Sequence, residues 1–164
     1  MAIVDALLPE FDREMGLTRR VLERVPEEKF DWKPHPKSMS LGGLATHVAN
    51  LPFWGSTALA ESEYELTSIG HLAQAESRAA VLSAFDARVA TARGALAGKT
   101  DGELMAPWTL KKEGHQVFTM PKAAVFRSFF LNHIIHHRGQ LTVYLRLNDV
   151  PLPSIYGPSA DEAQ

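Results

Sequence analysis

The chain has 164 residues, of which 45% are hydrophobic and 22% charged, and its formal net charge is −2 with neutral histidines. This length fits a single domain over residues 1–164 with a sizeable core, and the slightly acidic balance gives no basic patch, so we expect neither nucleic acid nor a membrane as partner. The absence of cysteine excludes disulfides and cysteine-based zinc sites, and no apolar run approaches the roughly 20 residues that span a bilayer, so we expect a cytoplasmic protein.

Two helices are predicted in the first part of the chain. The first runs from about Ile3 to Val25, because apolar residues recur along it at three- and four-residue steps. The second begins after Ser40, which is a suitable N-cap, and ends near Leu59, with a kink or a division at Pro52. The proline-containing segment between the two helices is expected to pack across one end of the fold.

A third helix and a hairpin are predicted next. The helix runs from about Leu72 to Leu96, and Gly98 is its expected terminator. Two short strands, Trp108–Leu110 and Val117–Thr119, follow it, with a turn at Glu113–Gly114 between them. This hairpin would separate the third helix from the fourth.

The last predicted helix runs from near Pro121, which suits a first helical turn, to about Asn148, and an irregular tail follows it. Four long helices with short or moderate connections are typical of a four-helix bundle. The sequence therefore predicts an all-α fold, a four-helix bundle with a short β-hairpin between its third and fourth helices.

Three histidines lie close together on the last predicted helix, in the stretch FFLNHIIHHRGQL. His133 and His137 are spaced i and i+4, about 40° apart, and they share the inward apolar stripe with Gln140. This spacing lets two imidazoles reach one ion. His136 lies about 60° to the other side of His133, so His136 and Gln140 are candidates to support the metal ligands or to face a substrate. Arg138 points about 140° away from His133, towards the expected surface or a dimer contact.

A third inward-facing histidine is predicted on the second helix. His47 shares a face with Trp54, which is expected to be a core or pocket-wall residue. A single histidine on an apolar face is more often a hydrogen-bonded core residue, but three unpaired imidazoles would be costly to bury. One ion shared by His47, His133 and His137 would satisfy all three and leave an open position, which is typical of a catalytic site. The stretch reads HIIHH without the glutamate of HExxH, which argues against a zinc protease of that type.

Two stretches, DWKPHPKSMSLGGLATHVANLP and NHIIHHRGQLTVYLRLNDVPLPSIYGPSADE, resemble the DinB superfamily of bacterial four-helix bundles. The resemblance covers nearly the whole chain and implies an up-up-down-down bundle that is often a homodimer. It also implies a three-histidine centre for zinc or nickel, whose ligands correspond by position to His47, His133 and His137. Some relatives are transferases that use a low-molecular-weight thiol, many have no assigned activity, and the family name does not imply DNA binding.

The leading functional expectation is a metal-dependent enzyme with a small-molecule substrate, either a thiol-dependent S-transferase or a hydrolase. Because the chain has no cysteine, the thiol would be a cosubstrate. The alternative is a non-enzymatic metal-binding or stress-response protein, and a fourth protein ligand that closes the coordination sphere would favour it. The sequence assigns no catalytic residue.

Apolar residues outside the inward stripe, such as Ile134 and Val143, support a homodimer.

Overall fold

The structure is a computed structural model that describes residues 1–67 and 73–162. Over these residues the fold is mostly helical, with one small three-stranded sheet, and none of its helices is long and apolar enough to cross a membrane. The helices are α1 (Ile3–Leu22), α2 (Leu41–Asn50), α3 (Pro52–Ala60), α4 (Arg78–Leu96), α5 (Asp101–Met105), α6 (Lys122–Val125) and α7 (Asn132–Leu147). The other regular elements are β1 (Glu63–Glu65), β2 (Pro107–Lys112), β3 (His115–Pro121), a 3₁₀ turn (Glu27–Lys29) and a π-helical segment (Phe126–Leu131), called the π-turn below.

The main core lies between the long helices. α1 packs against α4 and α7, α2 packs against the same two helices, and α3 packs against α4 and the π-turn. From α1 the core receives Leu7, Phe11 and Met15, which recur one turn apart and are at most 4% exposed. The predicted first helix is therefore present, although it ends at Leu22 because residues 23 and 24 form a turn.

The second predicted helix is divided at Pro52, which was one of the two expected outcomes. Ser40 caps its start, since the Ser40 hydroxyl accepts a hydrogen bond of 3.0 Å from the amide of Gly43. Leu51, between the two pieces, keeps helical backbone angles, with φ −58° and ψ −34°. α2 and α3 therefore form one bent rod, and side chains seven residues apart along it still lie on one side.

α4 begins later than the predicted third helix. Ser77 caps it by accepting a hydrogen bond of 3.1 Å from the amide of Ala80, and residues 73–77 are not helical. The predicted start at Leu72 lies outside the described residues. Gly98 follows the helix with a φ of +78°, a left-handed conformation that glycine adopts without strain, so its predicted role as terminator is confirmed.

The predicted hairpin is confirmed and is longer than expected. β2 and β3 pair antiparallel around Glu113 and Gly114, whose φ angles of 53° and 75° are those of the left-handed two-residue turn that hairpins favour. A third strand that the sequence did not predict, β1, pairs in parallel with β2, so the sheet order is β1-β2-β3. A second, smaller core beneath the sheet consists of Ala58, Trp108, Leu110 and Val125.

The π-turn interrupts the last predicted helix just before its histidines. The amide of Asn132 bonds to the carbonyl of Arg127, five residues back, instead of four as in an α-helix. Phe130 of the π-turn is fully buried and packs against Phe11 of α1. α3 approaches this segment closely because residue 55 is glycine: a Cβ on Gly55 would lie 2.8 Å from the Phe130 ring.

Two residues of α7 that were predicted to lie at the surface are buried, so these predictions were wrong. Arg138 and Ile134 are only 2% and 0% exposed, whereas Val143 is 57% exposed. The prediction assumed that only the histidine face of α7 is covered, but α1 and the C-terminal segment cover another face. Arg138 donates to the hydroxyl of Tyr156 at 2.7 Å, and this hydroxyl donates to the Glu14 carboxylate at 2.8 Å.

The C-terminal segment after α7 is irregular, as predicted, but it is tied to the helices by ion pairs. Glu162 pairs with Arg20 of α1 and with Arg24 in the turn after it, and Asp161 pairs with Arg146 of α7. The segment therefore links α1 and α7 on the side that faces away from the histidines.

Candidate metal centre

His47 of α2 meets His133 and His137 of α7 where the two helices pack together. The ring centroid of His47 lies 5.4 Å from that of His133 and 4.5 Å from that of His137, and the two α7 rings are 4.7 Å apart. One ring nitrogen from each histidine comes within 4.8 Å of the other two. The structure thus brings together the three histidines that were predicted to share a site.

Helix geometry explains this convergence. On α7, side chains four residues apart lie one above the other, about 5–6 Å apart, so His133 and His137 project on the same side. His47 lies beside both of them, while Trp54, seven residues later, contacts Phe129, which precedes the α7 histidines. The α2–α3 rod therefore runs antiparallel to α7, and His47 faces the gap between the two α7 imidazoles.

The arrangement fits a tetrahedral divalent ion. With nitrogen ligands about 2.0–2.1 Å from zinc, two ligand nitrogens are about 3.3 Å apart. The ring nitrogens of the three histidines are separated by up to 4.8 Å, which is more than this value. Rotations of the imidazoles about their side-chain torsions would bring the nitrogens closer together. Over residues 1–67 and 73–162, no carboxylate joins this group, so a tetrahedral ion held here would have three histidine ligands and a fourth position still to be filled.

His137 uses one of its ring nitrogens for a hydrogen bond to a neighbouring side chain. Nδ1 of His137 lies 2.7 Å from Oε1 of Gln140, an acceptor, so Nδ1 carries the proton and Nε2 is left for an ion. Such bonds fix the orientation and the tautomer of histidines that bind metals.

Burial keeps the three imidazoles neutral. Burial, followed by repulsion from His137 and His133, lowers the pKa of His47 to about 4. Burial also lowers the pKa of His133 and of His137, and for His137 the hydrogen bond to Gln140 acts in the opposite direction. A histidine can bind a metal only through an unprotonated nitrogen, so at neutral pH all three have a lone pair ready.

The remaining histidines do not share this cluster. His136 is exposed, and although its ring centroid lies 4.8 Å from that of His137, it does not belong to the group of converging nitrogens. His35 and His115 are exposed, as predicted. His71 lies outside the described residues.

Aromatic side chains lie on either side of the histidines. The Trp54 ring is 5.6 Å from that of Phe129 and 5.0 Å from that of Tyr64, and at the other end Trp32 packs edge-on against Tyr144 at 5.6 Å. Trp54 was predicted as a core or pocket-wall residue, whereas Tyr64 and Phe129 were not assigned to the site. The position of Phe129, one turn before the α7 histidines, would have indicated it. Tyr64 comes close only because β1 pairs with β2, which no local pattern indicates.

Comparison with known proteins points to one family. A family model described as the DinB family matches residues 2–164. The crystal structure of a DinB-like protein from Bacillus cereus ATCC 10987 is similar, with a TM-score of 0.72 and 22% identity over 94% of this chain and 98% of that one. A DinB-like protein of Bacillus subtilis, YjoA, has a TM-score of 0.71 and 18% identity over 92% of this chain and 96% of its own. At these identities the two structures establish the fold alone.

A short segment also resembles a curated protein, the uncharacterized protein YrdA of Bacillus subtilis (strain 168). The two sequences are 42% identical over 43 residues, which is 26% of this chain and 25% of YrdA. The match spans a quarter of the relative and carries no information on activity.

Proposed function

The chain belongs to the DinB family, and on that premise we propose that it holds one divalent ion, zinc or nickel, at His47, His133 and His137. The observation that carries this proposal is the convergence of three ring nitrogens from two helices within 4.8 Å of one another. The lowered pKa values of the three imidazoles support it, because neutral imidazole is the form that binds a metal. Three protein ligands with an open fourth position are typical of catalytic rather than structural zinc sites.

The proposed site is catalytic and takes a small-molecule substrate. When bound, a divalent ion would supply a Lewis acid at the open position. Among the residues of the chain, Gln140 would orient His137 at this position by accepting the proton of its Nδ1. The reaction is an S-transfer or a hydrolysis. Because the chain has no cysteine, an S-transfer would take its thiol from a low-molecular-weight cosubstrate.

Metal analysis of the untagged protein tests the ligand assignment. We expect about one equivalent of zinc or nickel per chain in the wild type, and at least a several-fold loss in His47→Ala and in His133→Ala. His136→Ala is the matched control, since it removes the same side chain from the same helix outside the converging group, and it should keep the metal. Full occupancy in both His47→Ala and His133→Ala would overturn the assignment.

A screen for thiol transfer and hydrolysis with the metal-loaded protein tests the enzymatic part. Turnover that requires the metal and disappears in His133→Ala would support it. Stoichiometric metal without any turnover would instead favour a metal-binding or stress-response protein without catalysis.

The finer architecture and the assembly are part of the same proposal. Residues 1–164 form one domain in which α1, the α2–α3 rod, α4 and the π-turn with α7 make an up-up-down-down four-helix bundle, supported by the packing of α1 and α2 against both α4 and α7.

α7 offers Val143 and Leu147, one turn apart and 57% and 58% exposed, to a second copy of the chain. We expect a homodimer in sedimentation experiments at micromolar concentration, and Val143→Glu should shift it towards the monomer.

A further inference from the structure

Four aromatic side chains form a connected group at one end of the histidine site. The Trp54 ring lies 5.0 Å from that of Tyr64, 5.6 Å from that of Phe53 and 5.6 Å from that of Phe129, each in an edge-to-face arrangement. The rings of Phe53 and Tyr64 are 6.1 Å apart. These residues, called the aromatic cluster below, come from α3, β1 and the π-turn, so only the folded chain assembles them.

The aromatic cluster adjoins the proposed ligands. Phe129 precedes His133 by four residues, about one turn, so the two side chains project on the same side of this part of the chain. Trp54 follows His47 by seven residues, about two turns, on the same side of the α2–α3 rod. Side chains on a helix lean towards its N-terminus, so Trp54 leans towards His47. The Trp54–Phe129 pair therefore forms an end wall of the site.

The aromatic cluster is not a closed piece of core. Phe53 is 42% exposed, and Trp54, Tyr64 and Phe129 are half-buried. The neighbouring Trp108, in the core beneath the sheet, is 0% exposed by contrast. Large rings that stay partly in water next to a set of metal-binding nitrogens offer a surface that a ligand can cover.

The charged side chains on the same elements are engaged away from the aromatic cluster. The glutamates of β1 flank Tyr64 and project from the opposite face of the strand, where Glu63 pairs with Lys111 at 2.6 Å. Arg127 of the π-turn pairs with Glu10 at 2.9 Å. These elements therefore offer a ligand apolar and edge-on aromatic contacts rather than a charge.

We infer that the aromatic cluster is a subsite for a ring of the substrate, so that the substrate is a small molecule with an aromatic ring next to its metal-binding group. This inference rests on the proposed metal site, since the polar end of such a molecule would take the open position. The ring packs against Trp54 and Phe129 in the edge-to-face or offset geometry that aromatic pairs prefer, and it removes the exposed part of these side chains from water.

Two hydroxamates that share one metal-binding group test the inference. Acetohydroxamate carries a methyl group and benzohydroxamate carries a phenyl ring, and both are titrated calorimetrically into zinc-loaded wild type, Trp54→Leu and Trp32→Leu. Trp32→Leu is the matched control, because Trp32 packs against Tyr144 at the other end of the site. In wild type and in Trp32→Leu, we expect the affinity for benzohydroxamate to exceed the affinity for acetohydroxamate by a factor of about ten or more. In Trp54→Leu this ratio should fall to about threefold or less, with the affinity for acetohydroxamate unchanged.

Equal affinities of the two hydroxamates for the zinc-loaded wild type would overturn the subsite, and this comparison needs no variant. A preference that is lost in Trp32→Leu but kept in Trp54→Leu would overturn its location. The zinc content, measured before each titration, separates the two levels of the proposal. A protein that takes up no zinc contradicts the metal site, whereas a protein that takes up zinc but does not prefer the ring contradicts only the aromatic subsite.

Discussion

Arg138 of α7 and Glu14 of α1 form an ion pair in the interior, with 2.7 Å between Nη2 and Oε2 and with 2% and 7% of their side chains exposed. The hydroxyl of Tyr156 bridges the two groups, and the Arg138 guanidinium also lies over the Tyr156 ring. Arg138 follows His137 directly in the sequence. One turn of α7 therefore carries a site histidine on one face and an anchor to α1 on another.

Arg138→Met should lower the free energy of unfolding by about 3–5 kcal/mol, because it leaves the Glu14 carboxylate in the interior without its partner. Replacing both residues, as in Arg138→Met with Glu14→Leu, should recover much of this loss, since no charge then remains buried. Arg146→Met is the control on the same helix: its pair with Asp161 lies at the surface, where water screens the charges, so its loss should change the stability little. Urea unfolding measures all three, and equal losses in the two single variants would contradict the anchoring role of Arg138.

Gln140→Ala should weaken zinc binding about 10–100-fold, because it removes the acceptor that orients His137 through Nδ1. Gln140 is exposed, so the melting temperature of the metal-free protein should hardly change. Gln140→Glu keeps an acceptor at this position and should retain the affinity. Competition with a chelator of known affinity measures the effect. Identical zinc affinities in wild type and Gln140→Ala would mean that the hydrogen bond does not support the site.

The stability of the metal-free protein should fall as the pH is lowered from about 6.5 to about 4. Histidines of the unfolded chain titrate near 6.5, whereas burial lowers the pKa of His47 to about 4 and also lowers those of His133 and His137. In this range the unfolded chain binds more protons than the folded one, so acid favours unfolding. The folded state therefore has its full stability above pH 6.5, where these histidines are neutral in both states, and loses stability as the pH falls below this value. Urea unfolding in this pH range should therefore show a smaller dependence in His47→Ala than in the wild type.

The same pKa values determine how the metal responds to pH. At pH 7.5 the three imidazoles are already neutral, so zinc binding should release few protons and should raise the melting temperature. This increment should persist to below pH 6.5 and disappear towards pH 4, where protons displace the ion. In His133→Ala it should nearly vanish at every pH. An increment of equal size at pH 7.5 and pH 4, or in both proteins, would mean that the ion binds elsewhere.

Gly55→Ala should destabilise the protein by about 1–3 kcal/mol, because the new Cβ has no room between α3 and the π-turn. It would lie 2.8 Å from the Phe130 ring and 3.2 Å from the Phe126 ring, so the two elements have to separate. Gly94→Ala is the control at an open position of α4, where nothing lies within 4 Å of the place that a Cβ would take, and it should stabilise by about 0.5–1 kcal/mol. Thermal unfolding compares them. A stability of Gly55→Ala equal to that of Gly94→Ala would contradict the close packing.

The elements that the sequence predicted correctly are those determined by neighbouring residues. Ser40 acts on the amide of Gly43, Gly98 adopts its own left-handed conformation, and the hairpin turn needs only Glu113 and Gly114. β1 could not be predicted in this way. Its pairing with β2 brings together residues as far apart as Glu63 and Lys111, 48 positions along the chain, and its short sequence has no strand pattern of its own.

The same distinction between local and long-range determinants applies to the candidate site. The convergence of His47, His133 and His137 follows from helix facing, because each residue lies on the inward stripe of its helix. That the three bind an ion stays a prediction. The burial of Arg138 could not be read from α7, because it depends on Tyr156, which the irregular C-terminal segment places on the opposite side of the helix.

Glu14 and Tyr156 are 142 positions apart in the sequence, and this separation constrains the order of folding. A ribosome delivers α1 before α7, so the carboxylate of Glu14 emerges long before the Arg138 guanidinium that neutralises it and the Tyr156 hydroxyl that donates a hydrogen bond to it. α1 can become helical early, but burial of this face has to wait until the segment around Tyr156 has been synthesised. Until then, the apolar side chains of α1 that the finished fold buries, among them Leu7, Phe11 and Met15, stay exposed to water.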